Sequence, residues 1–198
     1  MSEREGYPGG CMTASGIMFY PLAPRVEDVR IEDIAHHLAA VNRYGGATVY
    51  PFSVAQHSVI VSRMMGEENR QSTSPFTATR ALYGLMHDGS EFLLGDVCRP
   101  LKRQQAFVAY REAEARLQAV IYEAVGLDPN GEPEDLKTVD RRVLRSEQAA
   151  LMPPAAPNEE RNDVPVYPQI VFQRWTFEEA RSEFLNWFHW LQRQLLTG

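Results

Sequence analysis

The sequence predicts an all-α protein, a single bundle of about six or more helices around one core. Three observations carry this. From about Arg30 onward, apolar residues recur at three- and four-residue intervals in successive windows. Glycine and proline fall at the ends of those windows rather than inside them. Strand-like segments are confined to a short stretch near the start, and no internal repeat is present. With 198 residues the chain is long enough for one domain with a real core and short for two.

Residues 1–11 (MSEREGYPGGC) are polar and glycine-rich and read as a disordered extension, which leaves 12–198 as the domain. Between Ser15 and Pro24, short apolar runs broken by Pro21 and Pro24 predict an extended or hairpin-like lead-in. In the first helix Ile31, Ile34, Leu38 and Val41 share a face, and Gly45 supplies the stop. A second helix over 53–65 places Val54, His57, Ser58, Val61 and Met65 on one stripe, and a polar loop covers 66–77. A third helix runs from Ala78 to Asp88 and stops near Gly89. The longest amphipathic segment, 104–125, turns Phe107, Tyr110, Leu117, Val120, Ile121 and Ala124 inward, and Gly126 ends it. Pro133 opens the next helix, where its missing N–H costs least, and that helix continues to Leu151. Residues 153–175 hold five prolines and no periodicity, a surface excursion that is either a lid or a connector. Thr176 and Glu179 have capping-box spacing and start a final helix that buries Ala180, Phe184, Phe188, Leu191 and Leu195.

Composition narrows the function. A net charge of −6 gives no global basic field for a nucleic-acid polymer, so an anionic ligand must be held locally, by a metal or a few placed Arg and Lys. Cys11 and Cys98 are too few for a disulfide framework and suit a reducing compartment. Residues 44–62 lack charged side chains but carry Gly45, Gly46, Pro51, Gln56 and His57, so they are no membrane span, and the start shows no apolar signal region. A cytoplasmic protein is expected. Trp187, Phe188, Trp190 and Leu191 widen the apolar surface of the last helix beyond one stripe, which predicts a homo-oligomer.

The stretch MHDGSEFLLGDVCRPLK, residues 86–102, packs a His and three acids between the apolar runs ALYGLM and FLL. Apolar flanks imply burial, and buried carboxylates are costly unless paired or bound to a metal. His57 lies on the apolar stripe of its helix, where a lone His is more often a satisfied core residue than a ligand. Asp140 shares a face with Leu136, Val143 and Glu147 while Arg141 and Arg142 point away; a single inward Asp is usually a cap or a buried ion pair. Taken together, His57, His87, Asp88 and Asp140 bring two imidazoles and two carboxylates from three helices. That mixture suits Mn²⁺, Co²⁺, Fe²⁺ or Zn²⁺ better than Ca²⁺, which prefers oxygen shells.

The order H…HD…D on helices resembles the HD-domain superfamily of metal-dependent phosphohydrolases. The spacing HD-x-x-E-x-x-x-x-D, here His87-Asp88, Glu91 and Asp96, is similar to the 5′-deoxynucleotidases and to the bacterial and phage dATP triphosphohydrolases. Asn42-Arg43-Tyr44 ahead of the first histidine, with SVAQHSV and VDRRVLRSE, extends the likeness over about residues 13–150. The resemblance implies His57, His87, Asp88 and Asp140 as metal ligands, with a second divalent ion left open. It implies Glu91 and Asp96 as catalytic carboxylates without dividing the roles between them. Arg43, Tyr44, Arg99 and Lys102 become substrate contacts, with Arg161 and Arg174 available for further phosphate charge. The implied substrate is a small deoxynucleotide, dATP losing intact triphosphate foremost and a dNMP losing phosphate as the alternative. Two departures stand out: Tyr44 replaces the Trp of the nucleotidases, and Gly89 stands where relatives often carry Ala. Two other classes remain open, an HD-type di-iron oxygenase, which needs further His ligands, and a non-catalytic nucleotide sensor. His36, His37 and His189 have no partner at metal spacing and read as structural.

Overall fold

The computed structural model describes residues 9–68, 78–153 and 164–197. It is mostly helical, as expected, with one two-stranded ribbon among the described residues. The elements in chain order are β1 (Cys11–Met12), β2 (Met18–Phe19), α1 (Ile31–Ala40), α2 (Val54–Glu68), α3 (Ala78–Met86), α4 (Glu91–Leu94), α5 (Arg99–Lys102), α6 (Val108–Ala124), α7 (Leu136–Leu151) and α8 (Phe177–Thr197). No helix of the described residues is long and apolar enough to cross a membrane.

The lead-in is a hairpin, and it starts earlier than the sequence suggests: Cys11, read as part of a disordered extension, pairs with Phe19. Residues 1–8 of that extension lie outside the described residues. Asp33 anchors the ribbon to the bundle. Its carboxylate, in the first turn of α1, accepts hydrogen bonds from the backbone N–H and the hydroxyl of Ser15, both at 2.7 Å. Phe19 then packs edge-on against Phe92 at 5.3 Å between centroids.

α1 ends at Ala40, short of the expected Gly45 stop. The chain instead closes a small loop, with Arg43 N–H donating to the Phe52 carbonyl and Val54 N–H to the Val41 carbonyl. α2 runs three residues past the expected end, and the remainder of the predicted polar loop, 69–77, lies outside the described residues. α2 and α3 form the most extensive helix pair. Gly84 makes that contact possible, because a Cβ there would stand 2.9 Å from the Ser62 Cα. Ser62 also joins three helices: its hydroxyl donates to the Ala81 carbonyl and accepts from the Trp187 indole N–H.

α3 stops at Met86 rather than Asp88, so His87 and Asp88 sit in a turn that leads into α4. α4 and α5 are short helices the periodicity does not signal. Gln118 of α6 holds the turn from outside, donating at 2.7 Å to the Met86 carbonyl, which also accepts from Gly89 N–H, and accepting from Ser90 N–H at 3.0 Å. Gly89 is needed here, since a Cβ would meet the Met86 carbonyl oxygen at 2.9 Å and a methyl of Ile121 at 3.1 Å. α6 itself starts at Val108, after a 3-10 turn at Gln105–Phe107. Its buried residues are Ala113, Leu117, Ile121 and Tyr122; Phe107, Tyr110, Val120 and Ala124, expected inside, are only half-buried. The 3.6-residue stripe is real but rotated toward Tyr122, whose hydroxyl reaches Glu132.

The described part of the proline-rich segment, 164–175, lies along the body rather than standing off it. Tyr167 is buried, its N–H donates to the Ser146 hydroxyl, and the Arg142 guanidinium lies 3.8 Å from its ring centroid. Arg142, expected to point away, therefore packs on the strap. Residues 154–163, with Arg161, lie outside the described residues. The capping box of the last helix forms as expected, with Thr176 N–H to Glu179 and Glu179 N–H to the Thr176 hydroxyl. Ala180, Phe184, Phe188 and Leu191 are buried, whereas Leu195 is 37% exposed because α8 outruns its partners there. α8 packs on α1, α2 and α3 together, burying Phe188 and Leu191, while Trp187 and Trp190 are half-buried.

Gly84→Ala is expected to cost about 1–3 kcal/mol, since backbone rather than a mobile side chain opposes the new methyl. A thermal melt checks it, and an unchanged midpoint would contradict the close α2–α3 approach.

Candidate metal centre

His57 is wholly buried in the second turn of α2, and His87 follows the last turn of α3. Their Nε2 atoms face each other at 3.3 Å. The other nitrogen of each ring is already engaged. His57 Nδ1 lies 2.6 Å from a Glu147 carboxylate oxygen, and His87 Nδ1 lies 2.8 Å from the Gly84 carbonyl. Both partners are pure acceptors, so each Nδ1 carries the hydrogen and, in the neutral rings, each Nε2 presents a bare lone pair. Two lone pairs pointed at each other across 3.3 Å repel unless positive charge stands between them.

Carboxylates complete the surroundings. Asp88 Oδ2 lies 3.3 Å from His87 Nε2 and 3.6 Å from His57 Nε2. Asp140 Oδ1, from the second turn of α7, lies 3.3 Å from His57 Nε2 and 3.8 Å from His87 Nε2. Ligand atoms about 2.1 Å from one ion stand about 3.0 Å apart at right angles and about 3.4 Å apart at tetrahedral angles. The observed separations are of that size. His57, His87 and Asp88 converge tightly enough to hold a metal ion, and Asp140 approaches the same two nitrogens. Among the described residues no other group of His, Cys or carboxylate side chains converges in this way.

The titration behaviour carries the same message. Burial opposes protonation of His87, yet Asp88 and Asp140 outweigh it and raise the imidazole above its ordinary value. Burial and Arg43 oppose protonation of His57, and Glu147 with Asp140 outweigh them. Burial would raise Asp88 and Asp140, and the two imidazoles hold both well below the usual carboxylate range. The cluster calls for positive charge, which protons or a cation can supply.

Glu147 is the residue the sequence reading placed on the inward face but gave no role. It is fully buried, one turn and three residues beyond Asp140 on α7. Besides His57 it accepts from Arg43 Nε at 3.0 Å and from the Tyr44 hydroxyl at 2.8 Å. Burial would raise its carboxyl, but Arg43 and His57 hold it below its ordinary value. The seven-residue spacing from Asp140 is the signal that identifies it: two acids on one buried helical face need separate partners.

Arg43 and Tyr44 are thus held by the core as well as lining the site. Arg43 is buried, with Nη1 3.6 Å from Asp88. Tyr44 has φ +56°, in the left-handed region that bulky residues avoid, followed by Gly45 and Gly46 at φ +59° and +81°. The hydrogen bond to Glu147 and the nearby Arg43 guanidinium, 5.4 Å from the ring centroid, keep it there.

Both residues line a hollow of about 470 Å³, with Asp88, Glu91, Asp96 and Lys102 on its walls. Glu91 is buried, its Oε2 has no hydrogen-bond partner, and burial reinforced by Asp88 and Asp96 pushes its carboxyl up to about 9. Lys102 Nζ is 3.3 Å from Glu91 and is also bonded to Glu114, so its charge is balanced by the protein. Arg99 is exposed at the rim. Arg174, also exposed, lines none of the hollows around the cluster. His36 packs on Phe177, His37 packs on Phe92 and accepts from Ala14 N–H, and His189 is exposed on α8.

No protein-family model matches the chain. It is similar to an uncharacterized protein of Rhodobacter capsulatus, 38% identical over 109 residues, which is 54% of this chain and 53% of the relative. It is also similar to the uncharacterized protein YfdR of Escherichia coli K12, 35% identical over 117 residues, 59% of this chain and 58% of the relative. The chain spans just over half the length of these relatives, and neither name carries an activity.

Glu147→Gln removes the charge that fixes the His57 tautomer and pairs Arg43. Metal affinity is expected to fall about 10–100-fold, read by titration of chelator-treated protein, with a lower melting temperature. Undiminished affinity would show that His57 is oriented by something else.

Proposed function

We propose that this protein is a metal-dependent phosphohydrolase of small deoxynucleotides, dATP foremost, releasing deoxynucleoside and intact triphosphate. The observation that supports it best is the pair of His57 and His87 Nε2 lone pairs, 3.3 Å apart and flanked by Asp88 and Asp140. The donor set, two neutral imidazoles and two carboxylates, fits Mn²⁺, Co²⁺, Fe²⁺ or Zn²⁺. Such an ion, when bound, supplies Lewis-acid polarisation of a phosphoryl oxygen and a more acidic water nucleophile.

The chain's own residues do the rest. Water adds to the α-phosphorus, the bond from phosphorus to O5′ breaks, and O5′ must gain a proton as it leaves. Burial and the neighbouring Asp88 and Asp96 raise the Glu91 carboxyl, which fits it to deliver that proton. Asp96, across the same hollow, takes the water-orienting role. The Tyr44 ring, fixed at its strained angle, forms a wall for the sugar or base, and Arg43 offers its remaining guanidinium hydrogens to phosphate. A di-iron oxygenase would need further His ligands, and His36, His37 and His189 lie away from the cluster.

A second reading, 5′-dephosphorylation of a dNMP, draws support from the pairing of Arg43 with Glu147 and of Lys102 with Glu91 and Glu114. Those cations are already balanced, which suits a small phosphate charge.

Incubation of the Mn²⁺- or Co²⁺-loaded protein with dNTPs and dNMPs, followed by ion chromatography, separates the readings. Triphosphate with deoxyadenosine from dATP is expected. Orthophosphate from dNMPs alone would select the second reading, and no cleavage of any nucleotide would contradict both. Glu91→Gln is expected to keep its metal and lower the rate by about 10²–10⁴; loss of metal would make Glu91 a ligand instead.

A further inference from the structure

The hollow beside Tyr44 is one of two that meet at the cluster. The other, about 520 Å³, shares His87, Asp140 and Arg99 with the centre and is otherwise walled largely by cations. Arg99 and its neighbour one turn on, Arg103, stand on one side, and Lys137 and Arg141, one turn apart on α7, stand on the other. All four are exposed, and none has a carboxylate within ion-pair distance among the described residues. Glu132, which also lines this hollow, is held by the Tyr122 hydroxyl. Arg145 continues the α7 row by one more turn into an adjoining recess that Arg99, Arg103 and Arg141 share. Its Nε is buried with no partner.

This arrangement is unusual in a chain of net charge −6. Cations at positions 137, 141 and 145 repel along one helical face, which weakens the helix. On the Tyr44 side Arg43 is paired with Glu147 and Lys102 with Glu114. Arg103, Lys137 and Arg141, without such partners, line the other hollow and not the one beside Tyr44.

We infer that the Arg99–Arg103–Lys137–Arg141 hollow is a polyphosphate subsite, so that a substrate lies across the centre with its phosphate chain in this hollow and its nucleoside against Tyr44. The inference rests on the phosphohydrolase reading and deepens it by fixing the direction of the substrate and the minimum number of phosphates. Asp140 and Arg99 line both hollows, so the scissile α-phosphate falls at their junction. The β- and γ-phosphates then extend between two facing pairs of cations, each able to give charge-assisted hydrogen bonds to non-bridging oxygens. A mononucleotide leaves those cations unused.

The test is calorimetric binding of inorganic tripolyphosphate and orthophosphate to the full, metal-loaded chain and to an Arg103→Gln/Arg141→Gln variant. The wild type is expected to bind tripolyphosphate about tenfold or more tightly than orthophosphate. The variant is expected to lose about tenfold or more for tripolyphosphate with its orthophosphate affinity little changed, the size of two lost charge-assisted contacts. An Arg103→Lys/Arg141→Lys variant should recover part of the loss, and an unchanged melting temperature shows that both variants fold. Equal affinity for the two anions, an unaltered tripolyphosphate affinity in the Gln variant, or equal loss for both anions would overturn the subsite. Because no turnover is needed, this outcome is independent of cleavage: a chain that binds tripolyphosphate selectively but hydrolyses no nucleotide refutes the hydrolase reading and leaves the subsite standing.

Discussion

A single buried carboxylate organises this molecule. Glu147 has no exposed surface, and a charge in such a place is tolerated only with close partners. It takes three donors from two other parts of the chain, His57 from α2 and Arg43 and Tyr44 from the loop after α1. Each bond has a structural consequence. The first fixes the His57 tautomer and leaves Nε2 free. The second buries a guanidinium beside Asp88. The third holds Tyr44 in a backbone conformation that costs on the order of 1–2 kcal/mol for a non-glycine residue. The site is therefore built into the packing of α2 against α7 rather than grafted onto a finished surface.

The opposite half of the centre depends on a close approach. His87 and Asp88 reach the cluster because α3 lies almost against the α2 backbone at Gly84, whose carbonyl also orients His87. Gln118 of α6 clamps the turn after α3, donating to the Met86 carbonyl and accepting from Ser90 N–H. Gly89 lets that turn lie on Ile121. Small residues and one amide side chain thus do for His87 and Asp88 what Glu147 does for His57.

Much of this is legible in the sequence, and the part that is not has physical reasons. Helical periodicity locates α1, α2, α3, α6, α7 and α8, because each buries a stripe against neighbours, and the Thr176 capping box is local chemistry that needs no context. The spacing of His57, His87, Asp88 and Asp140 reads as a cluster, and the structure brings those four together. Glu147 is legible as an inward-facing acid from its spacing to Asp140, but its role is not, because its partners lie about a hundred residues away. The breadth of apolar surface on α8 is legible in the sequence, but that it packs on α1, α2 and α3 together is visible only in the fold. Arg103, Lys137 and Arg141 look like ordinary solvated charges until the fold gathers them around one hollow beside His87 and Asp140.

The cluster divides two unlike spaces, one with paired cations and the Tyr44 ring, the other with unpaired cations, and its geometry could hold a metal ion between two imidazoles. The most direct test is titration of chelator-treated protein with Co²⁺, followed by the visible d–d absorption of the bound ion, for the wild type and for His57→Ala, His87→Ala and Asp140→Ala. Saturation of the wild type, with binding weakened or lost in each variant while the helical far-ultraviolet signal persists, is the expected result. Absence of a Co²⁺ signal in the wild type, or a signal of undiminished affinity in both the His57→Ala and His87→Ala variants, would contradict it.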